Sequence, residues 1–205
     1  MKFPTSGLYA ITQTEGKNCD TIIQEVSLAL EGGISVLQYR DKKPDDAVYL
    51  AKKLLSLCKQ YNVPLLINDN ADLAEQTGAD GVHLGKDDGD IVSIRKRLGS
   101  KAIIGVSCYN DLASAVDAQS KGADYVAFGR FFPSSSKPLA APAQIETLRR
   151  AKNKIQIPIV AIGGILPDNG GDLLKAGADI LAVIDGIFSH NPEQSTKAYL
   201  NLFSK

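Results

Sequence analysis

The stretch Gly78-Ala79-Asp80, followed by the apolar run Gly81-Val82-His83-Leu84, decides the fold class, because the same pattern recurs twice further along the chain. The tripeptide stands again at Gly122-Ala123-Asp124 and at Gly177-Ala178-Asp179, each time directly before a short apolar run. Glycine suits the end of a helix, where the chain needs a positive φ, and the Ala-Asp step then leads into a strand. The echo therefore predicts repeated helix-to-strand junctions.

Short apolar runs extend this pattern over the whole chain. They are too short for helices and typical of strands buried on both faces, and segments of helical period, such as 20–31 and 45–60, lie between them. Strands that alternate with helices indicate parallel βαβ units, and eight such units predict a (β/α)8 TIM barrel with residues 1–205 as one catalytic domain. A doubly wound sheet is the alternative, but it usually stops at five or six strands. The runs are residues 8–11, 34–39, 65–67, 81–84, 103–106, 125–128, 159–162 and 180–184.

Composition excludes several classes of protein. The 23 basic and 23 acidic residues cancel, whereas a protein that binds nucleic acid or an anionic membrane normally has a basic surplus. With 44% hydrophobic and 22% charged residues the chain is globular rather than disordered, and no apolar run approaches the roughly 18 residues of a membrane span. Residues 1–6 lack the pattern of a secretory signal, and three distant cysteines indicate no disulfide framework. We therefore expect a soluble, cytoplasmic protein.

Polar residues follow the apolar runs, where a barrel places its active site. At the end of the second run and just beyond it, Gln38, Arg40 and Lys42 alternate, and a period of two puts them on one side of an extended segment. A buried strand has no structural need for two cations and an amide on one side, so this pattern favours an anionic ligand. The alternative is that Arg40 pairs with Asp41 or Asp45 and that Lys42 is solvated.

Two aspartates suggest a metal site. Asp69 and Asp88 follow successive runs and should therefore be neighbours on the rim of the barrel. Two carboxylates beside a phosphorylated substrate are a common way to hold Mg²⁺. A zinc or iron site made of imidazoles is not expected, because His83 and His190 are the only histidines and suit structural or exposed positions. Further aspartates near Asp88 leave the alternative that this charge only favours a helix N-terminus.

The remaining loops favour phosphate chemistry. Gly163-Gly164 and Asp185-Gly186 follow the last two runs, where such barrels bind phosphate through backbone N–H groups. The loop Ser134-Ser135-Ser136-Lys137 suits diphosphate oxygens and also the composition of a mobile lid. No nucleophile–base pair is recognisable, and Cys108 is expected to be a buried small hydrophobe. The residues thus predict a barrel enzyme that handles two anionic groups, at least one of them a diphosphate, together with Mg²⁺. One chemistry consistent with this is displacement of diphosphate, in which the metal and the cations stabilise the leaving group.

Several stretches, in this order, resemble the thiamine-phosphate synthase family along nearly the whole chain. The resemblance implies coupling of 4-amino-5-hydroxymethyl-2-methylpyrimidine diphosphate with 4-methyl-5-(2-phosphoethyl)thiazole, which yields thiamine phosphate and diphosphate. In that family the diphosphate departs first, and the thiazole nitrogen captures the pyrimidine methylene cation. The matching stretches are residues 7–12, 37–42, 66–69, 78–85, 105–108, 128–133 with 137–138, and 161–165.

The resemblance also implies a set of site residues by position. Ser107, Lys137 and Arg40 are the expected catalytic residues. The pyrimidine diphosphate is assigned to Gln38, Arg40, Lys42 and Asn68, and Mg²⁺ to Asp69 and Asp88. Departure of the diphosphate is assigned to Ser107, Ser134, Ser136 and Lys137, and the thiazole phosphate to Gly164, Ile184 and Asp185.

The chain departs from the family pattern in two loops. The family's lid more often reads Thr-x-Thr-Lys, where this chain has Ser134-Ser135-Ser136-Lys137, which keeps the hydroxyls. The loop after the eighth run commonly carries Ser where this chain has Asp185. Since a carboxylate beside a phosphate is unfavourable, we expect the Asp185 side chain to point away and its backbone N–H to bind.

Competing functions use less of this machinery. A related thiazole tautomerase shares the barrel but does not need the diphosphate residues, and a non-catalytic sensor of a phosphorylated metabolite needs neither a Mg²⁺ pair nor a lid. A phosphosugar isomerase would explain the paired glycines but not the cations after the second run. The partners expected are therefore the two small-molecule substrates, without nucleic acid or membrane, and a homo-oligomer remains open.

Overall fold

The computed structural model describes residues 1–85, 88–133 and 141–204. Eight parallel strands pair in chain order, and the last pairs with the first, so the sheet closes into a barrel and the predicted (β/α)8 fold is confirmed. The strands are β1 Gly7–Ile11, β2 Val36–Tyr39, β3 Leu65–Asn68, β4 Gly81–Leu84, β5 Ile103–Tyr109, β6 Tyr125–Gly129, β7 Ile159–Ile162 and β8 Ile180–Val183. The helices are α1 Cys19–Gly32, α2 Ala47–Gln60, α3 Ala71–Thr77, α4 Ile91–Leu98, α5 Leu112–Ser120, α6 Ile145–Lys152, α7 Gly170–Lys175, α8 Asp185–Phe188 and α9 Pro192–Leu200.

Strand residues alternate between the interior of the barrel and the surrounding helix layer. Both faces are apolar, as expected for parallel strands that are covered on both sides. The interior cluster contains Tyr9, Ile11, Val36, Leu66, Ile103, Tyr125, Ala127, Val160, Ile180 and Ala182. Residues between them, such as Leu37, Val126 and Leu181, pack against the helices. Among the described residues, every helix is too short or too polar to span a bilayer.

The three Gly-Ala-Asp junctions form as the sequence predicts. Gly78, Gly122 and Gly177 follow helices and have positive φ angles of 71°, 90° and 116°. Each aspartate then joins its own strand to the preceding one: its carboxylate accepts the N–H of a strand residue whose carbonyl accepts the aspartate's N–H. These pairs are Asp80 with Leu65, Asp124 with Ile104 and Asp179 with Ile159, with carboxylate distances of 3.0, 2.7 and 2.9 Å. The motif therefore fixes strand register at the N-terminal end of the barrel.

A fourth junction of the same kind precedes β2 but carries different residues. Gly33 ends α1 with φ 101°, and the Ser35 N–H donates to the Leu8 carbonyl at 2.7 Å. Ser35 thus stands where the other junctions have Asp. The second run predicted from the sequence begins at the apolar Ile34, two residues before β2, because this junction shares only its glycine with the motif and was not distinguished from the strand.

Candidate active site

A cavity of about 460 Å³ opens at the C-terminal ends of the strands. All eight strands, or the loops that follow them, contribute to its wall. This volume lies in the range typical of pockets for small molecules. The cavity therefore lies where a TIM barrel carries its active site.

Most of the residues selected from the sequence line this cavity. They are Gln38, Arg40, Asn68, Asp69, Asp88, Ser107, Gly164, Ile184 and Asp185. Lys42 is exposed and is not part of the wall. Ser134, Ser136 and Lys137 lie outside the described residues.

The segment after β2 explains the difference between Arg40 and Lys42. The Thr12 hydroxyl donates to the Arg40 carbonyl and accepts the Arg40 N–H, both at 2.9 Å, so the backbone of Arg40 is held at the cavity. Beyond it, the Asp41 carboxylate accepts the Lys43 N–H at 3.0 Å in a local turn. The extended segment ends there, and the period of two does not carry on to Lys42.

Asp69 occupies a tight turn at the end of β3. Its φ is 59°, in the left-handed region that Asp and Asn tolerate better than most residues, and the Asn70 N–H donates across it to the Asn68 carbonyl at 2.7 Å. The Asp69 N–H donates to the His83 carbonyl on β4 at 2.8 Å, and Asn68 Nδ2 donates to Asp69 Oδ2 at 2.6 Å. Asn70 then caps α3. The stretch Asn68-Asp69-Asn70 thereby holds the carboxylate at the rim.

Asp88 faces the same space from the loop after β4. Its Oδ2 accepts the Gly85 N–H at 2.6 Å. A Cβ placed on Gly85 would lie 2.6 Å from Asp88 Oδ2 and 3.9 Å from Asp69 Oδ1, so both carboxylates approach one small volume above this glycine. Gly85 is therefore the residue that leaves room between them.

This arrangement fits Mg²⁺ bound together with a substrate. The described residues contain no group of three or more His, Cys, Asp or Glu side chains that could hold a metal by themselves. Magnesium usually keeps several waters and binds through one or two carboxylates plus substrate phosphates. Asp69 and Asp88 match that mode and do not match a cage made entirely of protein ligands.

A chain of hydrogen bonds crosses the interior beneath the cavity. Ser107 Oγ lies 2.8 Å from His83 Nε2, and His83 Nδ1 lies 2.7 Å from the Tyr125 hydroxyl. The Tyr125 and Tyr9 hydroxyls are 2.8 Å apart, and Gln38 Nε2 donates to the Tyr9 hydroxyl at 2.7 Å. Burial raises the pKa of both Tyr9 and Tyr125 well above the ordinary value, so both phenols stay protonated.

Several wall residues were not selected from the sequence. His83 was interpreted as a satisfied structural histidine; both ring nitrogens do have partners, yet the side chain also lines the cavity. Tyr9, Tyr109 and Arg130 are further wall residues. A strand period of two carries the signal for His83, because Gly81, His83 and Gly85 alternate and Gly85 reaches the rim.

The end of β5 is irregular next to the cavity. Ser107 pairs with Ala127 and Tyr109 pairs with the next residue, Phe128, which makes Cys108 the extra residue of a bulge. Bulges often aim side chains beside active sites. Cys108 is buried in the helix layer, as expected, and burial raises the pKa of its thiol to about 12, which disfavours the thiolate that a nucleophile needs.

The opposite wall is built from closely packed glycines. Gly164 has φ 63°, and a Cβ there would lie 2.3 Å from the Pro133 carbonyl oxygen. α8 begins at Asp185, which lines the same cavity. Its last carbonyl, that of Phe188, accepts a hydrogen bond from Lys17 Nζ at 3.2 Å. Lys17 also pairs with Glu25 of α1 at 2.7 Å. The loop after β7 therefore packs against the backbone at Pro133, and the segment after β8 is tied to α1 through Lys17.

Comparisons with known proteins agree with this geometry. A family model described as thiamine monophosphate synthase matches residues 8–187. The chain is 50% identical over 200 residues to a thiamine-phosphate synthase of Nitrosococcus oceani, covering 96% of this chain and 92% of that protein. It is 45% identical over 190 residues to a thiamine-phosphate synthase of Methylococcus capsulatus, covering 92% and 84%. Among solved structures, the thiamine phosphate pyrophosphorylase of Pyrococcus furiosus has a TM-score of 0.87 at 33% identity, covering 97% and 95%.

Proposed function

The chain belongs to the thiamine monophosphate synthase family, and we propose on that premise that it couples 4-amino-5-hydroxymethyl-2-methylpyrimidine diphosphate with 4-methyl-5-(2-phosphoethyl)thiazole. The products are thiamine phosphate and diphosphate. The observation that carries the proposal is the carboxylate pair of Asp69 and Asp88 above Gly85, in the same cavity as Arg40 and Asn68. A metal-bound diphosphate needs this combination of carboxylates and donors.

The reaction requires no protein nucleophile. The bond between the pyrimidine methylene carbon and the diphosphate oxygen breaks, and its electron pair leaves with the diphosphate. The lone pair of the thiazole nitrogen then forms the new C–N bond, so atoms and electrons balance. The protein must therefore hold two substrates in line, exclude water from the cation and stabilise the charge on the leaving group.

The described residues suit those tasks. The Arg40 guanidinium is a fork-shaped donor that matches phosphate oxygens, and its backbone is fixed by Thr12. Asn68 and Gln38 supply amide groups to the pyrimidine diphosphate, and Ser107 supplies a hydroxyl. We propose that Ser134, Ser136 and Lys137 complete the diphosphate site. Lys42 is exposed and lies outside the cavity wall, so its assignment to the diphosphate stays a prediction from the family resemblance.

Asp69 and Asp88 are the residues that would hold Mg²⁺. The bound ion supplies positive charge to the leaving diphosphate. Asp69 is held at the rim by its turn and Asp88 by the Gly85 N–H, so both carboxylates are in place before a substrate arrives.

The thiazole phosphate is assigned to the wall formed by Gly164, Ile184 and Asp185. Gly164 lines the cavity, and because it has no side chain its backbone can meet a ligand there. We keep the prediction that Asp185 binds through its N–H rather than its carboxylate. The three cysteines are free thiols, which suits the reducing cytoplasm that the sequence predicts.

An assay with both substrates tests the proposal. We expect thiamine phosphate and diphosphate to form in equal amounts with Mg²⁺, to disappear with excess chelator and to return when Mg²⁺ is added back. Product that is indifferent to the chelator would remove the metal assignment but not the coupling. Absence of product from a protein that still binds the thiazole phosphate would favour the tautomerase or the sensor.

A further inference from the structure

The hydrogen-bond chain beneath the cavity has a direction, and its direction determines what Ser107 can do. We propose that the chain from Gln38 through Tyr9 and Tyr125 fixes His83 as the tautomer with its hydrogen on Nε2. Ser107 then accepts from His83 and keeps its own hydroxyl hydrogen for a ligand in the cavity. Tyr9 and Tyr125 are positioning residues in this scheme, because they act through His83 and Ser107.

The direction follows from counting hydrogens along the chain. Gln38 Nε2 can only donate, so the Tyr9 oxygen accepts from it. The Tyr9 hydroxyl is buried, so its single hydrogen goes to its other partner, the Tyr125 oxygen. The Tyr125 oxygen has then accepted, and its own hydrogen goes to His83 Nδ1. An Nδ1 that accepts carries no hydrogen, so the ring hydrogen lies on Nε2.

The last link passes this order to Ser107. His83 Nε2 donates to Ser107 Oγ across 2.8 Å, which occupies an acceptor position of the hydroxyl. The hydroxyl hydrogen remains available, and Ser107 lines the cavity. A serine held in this way is a donor for an anionic oxygen and is not activated as a nucleophile.

The fold fixes the position of Tyr125 in the chain by means of a glycine. Gly105 on β5 pairs with His83 on β4 and with Tyr125 on β6, so it lies directly between them. A Cβ at Gly105 would lie 1.9 Å from Tyr125 Cζ and 2.3 Å from its hydroxyl oxygen. The missing side chain lets the phenol cross β5 to reach His83.

Aromatic contacts hold the same ring from the N-terminal end of the barrel. Phe3 stacks on Tyr125 with centroids 3.9 Å apart and an interplanar angle of 8°. Tyr9 meets the Tyr125 ring edge-on at 5.9 Å. Because rotation of Tyr125 is restricted on both sides, its hydroxyl stays between Tyr9 and His83.

Reversal of the Gln38 amide would reverse every link. Its Oε1 would then accept from Tyr9, His83 would donate from Nδ1, and Nε2 would accept the Ser107 hydrogen. That state resembles an activated serine, which the proposed reaction does not use. The direction inferred from the Gln38 Nε2 donor instead gives a donor for diphosphate, and only this identification of the ligand rests on the proposed function.

Nitrogen NMR of the imidazoles tests the tautomer directly. The protein has two histidines, and removal of the exposed one in His190→Gln assigns the signals of His83. In ¹⁵N-histidine-labelled protein without substrates, we expect protonated Nε2 and unprotonated Nδ1. Gln38→Glu puts a carboxylate, which can only accept, against Tyr9; we expect the tautomer to switch to Nδ1–H.

Tyr125→Phe removes the link itself. We expect a mixture of both tautomers, since the hydroxyl that donates to Nδ1 is then lost. Tyr9→Phe, which cuts the chain one link earlier, should give the same result if Tyr125→Phe does not fold. Wild-type His83 with its hydrogen on Nδ1 or on both nitrogens, or a tautomer unchanged in Gln38→Glu and in the Phe variant, would overturn the inference. Because no substrate is present, these outcomes are independent of the coupling assay.

Discussion

The two ends of the barrel use the same residue type in different ways. At the N-terminal end, Asp80, Asp124 and Asp179 accept strand N–H groups and face cations: the N-terminal amine, Arg95 and Lys152 respectively. At the C-terminal end, Asp69 and Asp88 line a cavity, and each accepts a hydrogen bond from its own rim loop. An aspartate that joins strands contributes to stability, whereas one that lines the cavity is placed for a ligand.

Position on the rim is not sufficient to make an aspartate a ligand. Asp90 and Asp111 also follow the C-terminal ends of strands, but their carboxylates cap α4 and α5. Asp90 accepts from Ser93, and Asp111 accepts from Ala113 and Ser114. The comparison therefore separates three roles: joining strands, capping helices and facing the cavity.

The largest effect is expected from Asp69→Asn at the cavity end. Asparagine tolerates the φ of 59° and preserves the shape of the side chain, so the urea midpoint should stay near that of the wild type. Loss of the charge removes support for the leaving group, and turnover at saturating substrate should fall by roughly 100-fold or more. Near-normal turnover in this variant would remove Asp69 from the proposed metal site.

A smaller effect, on stability instead of turnover, is expected from Asp124→Ala at the N-terminal end. The buried Ile104 N–H loses its acceptor and Arg95 its ion-pair partner, so stability should fall by about 1–3 kcal/mol. Turnover per folded molecule should remain unchanged. Urea unfolding and an active-site-normalised assay measure the two quantities.

Asp124→Asn is the matched control for that variant. Its amide oxygen can still accept the Ile104 N–H, so it should lose less stability than the alanine variant. If either variant lowers turnover of the folded enzyme, the assignment of Asp124 to stability alone is wrong.

The sequence predicted the barrel because its repeated junctions obey local rules. Gly78, Gly122 and Gly177 end helices with positive φ wherever Gly-Ala-Asp occurs, and short apolar runs follow them. The equivalent junction at Ser35 was not predicted. The hydrogen bond that it shares with the other junctions is donated by its backbone N–H, and any residue but proline can donate it, so no side chain marks the junction in the sequence.

The site was predicted less completely, for physical reasons. Rim residues such as Asp69 and Arg40 could be found because they directly follow apolar runs. The strand period could have placed His83 in the cavity wall. Its hydrogen bonds could not be predicted, because its partners Ser107 and Tyr125 are distant in sequence and come together only in the folded barrel. Lys42 was misplaced because the Asp41 carboxylate accepts the Lys43 N–H and turns the chain there. A strand period assumes that the extended segment continues, so it could not predict this turn.

The smallest effect is expected from Asp111→Asn, which tests the helix-capping group. Hydrogen bonds from the Ser114 hydroxyl and the Ala113 N–H lower the pKa of the Asp111 carboxyl below its ordinary 3.8. The folded state therefore binds this proton more weakly than the unfolded state. The ionised carboxylate contributes stability above its unfolded pKa, and this contribution is lost as pH falls through the folded pKa.

Asparagine caps helices about as well as aspartate but carries no charge. The urea midpoint of the variant should thus lie slightly below that of the wild type at neutral pH and approach it as the pH falls through the lowered pKa of the Asp111 carboxyl, with turnover unchanged. A gap that stays constant or widens in acid would show that the charge of Asp111 does not act through its cap, and reduced turnover would move Asp111 from the capping role to the cavity.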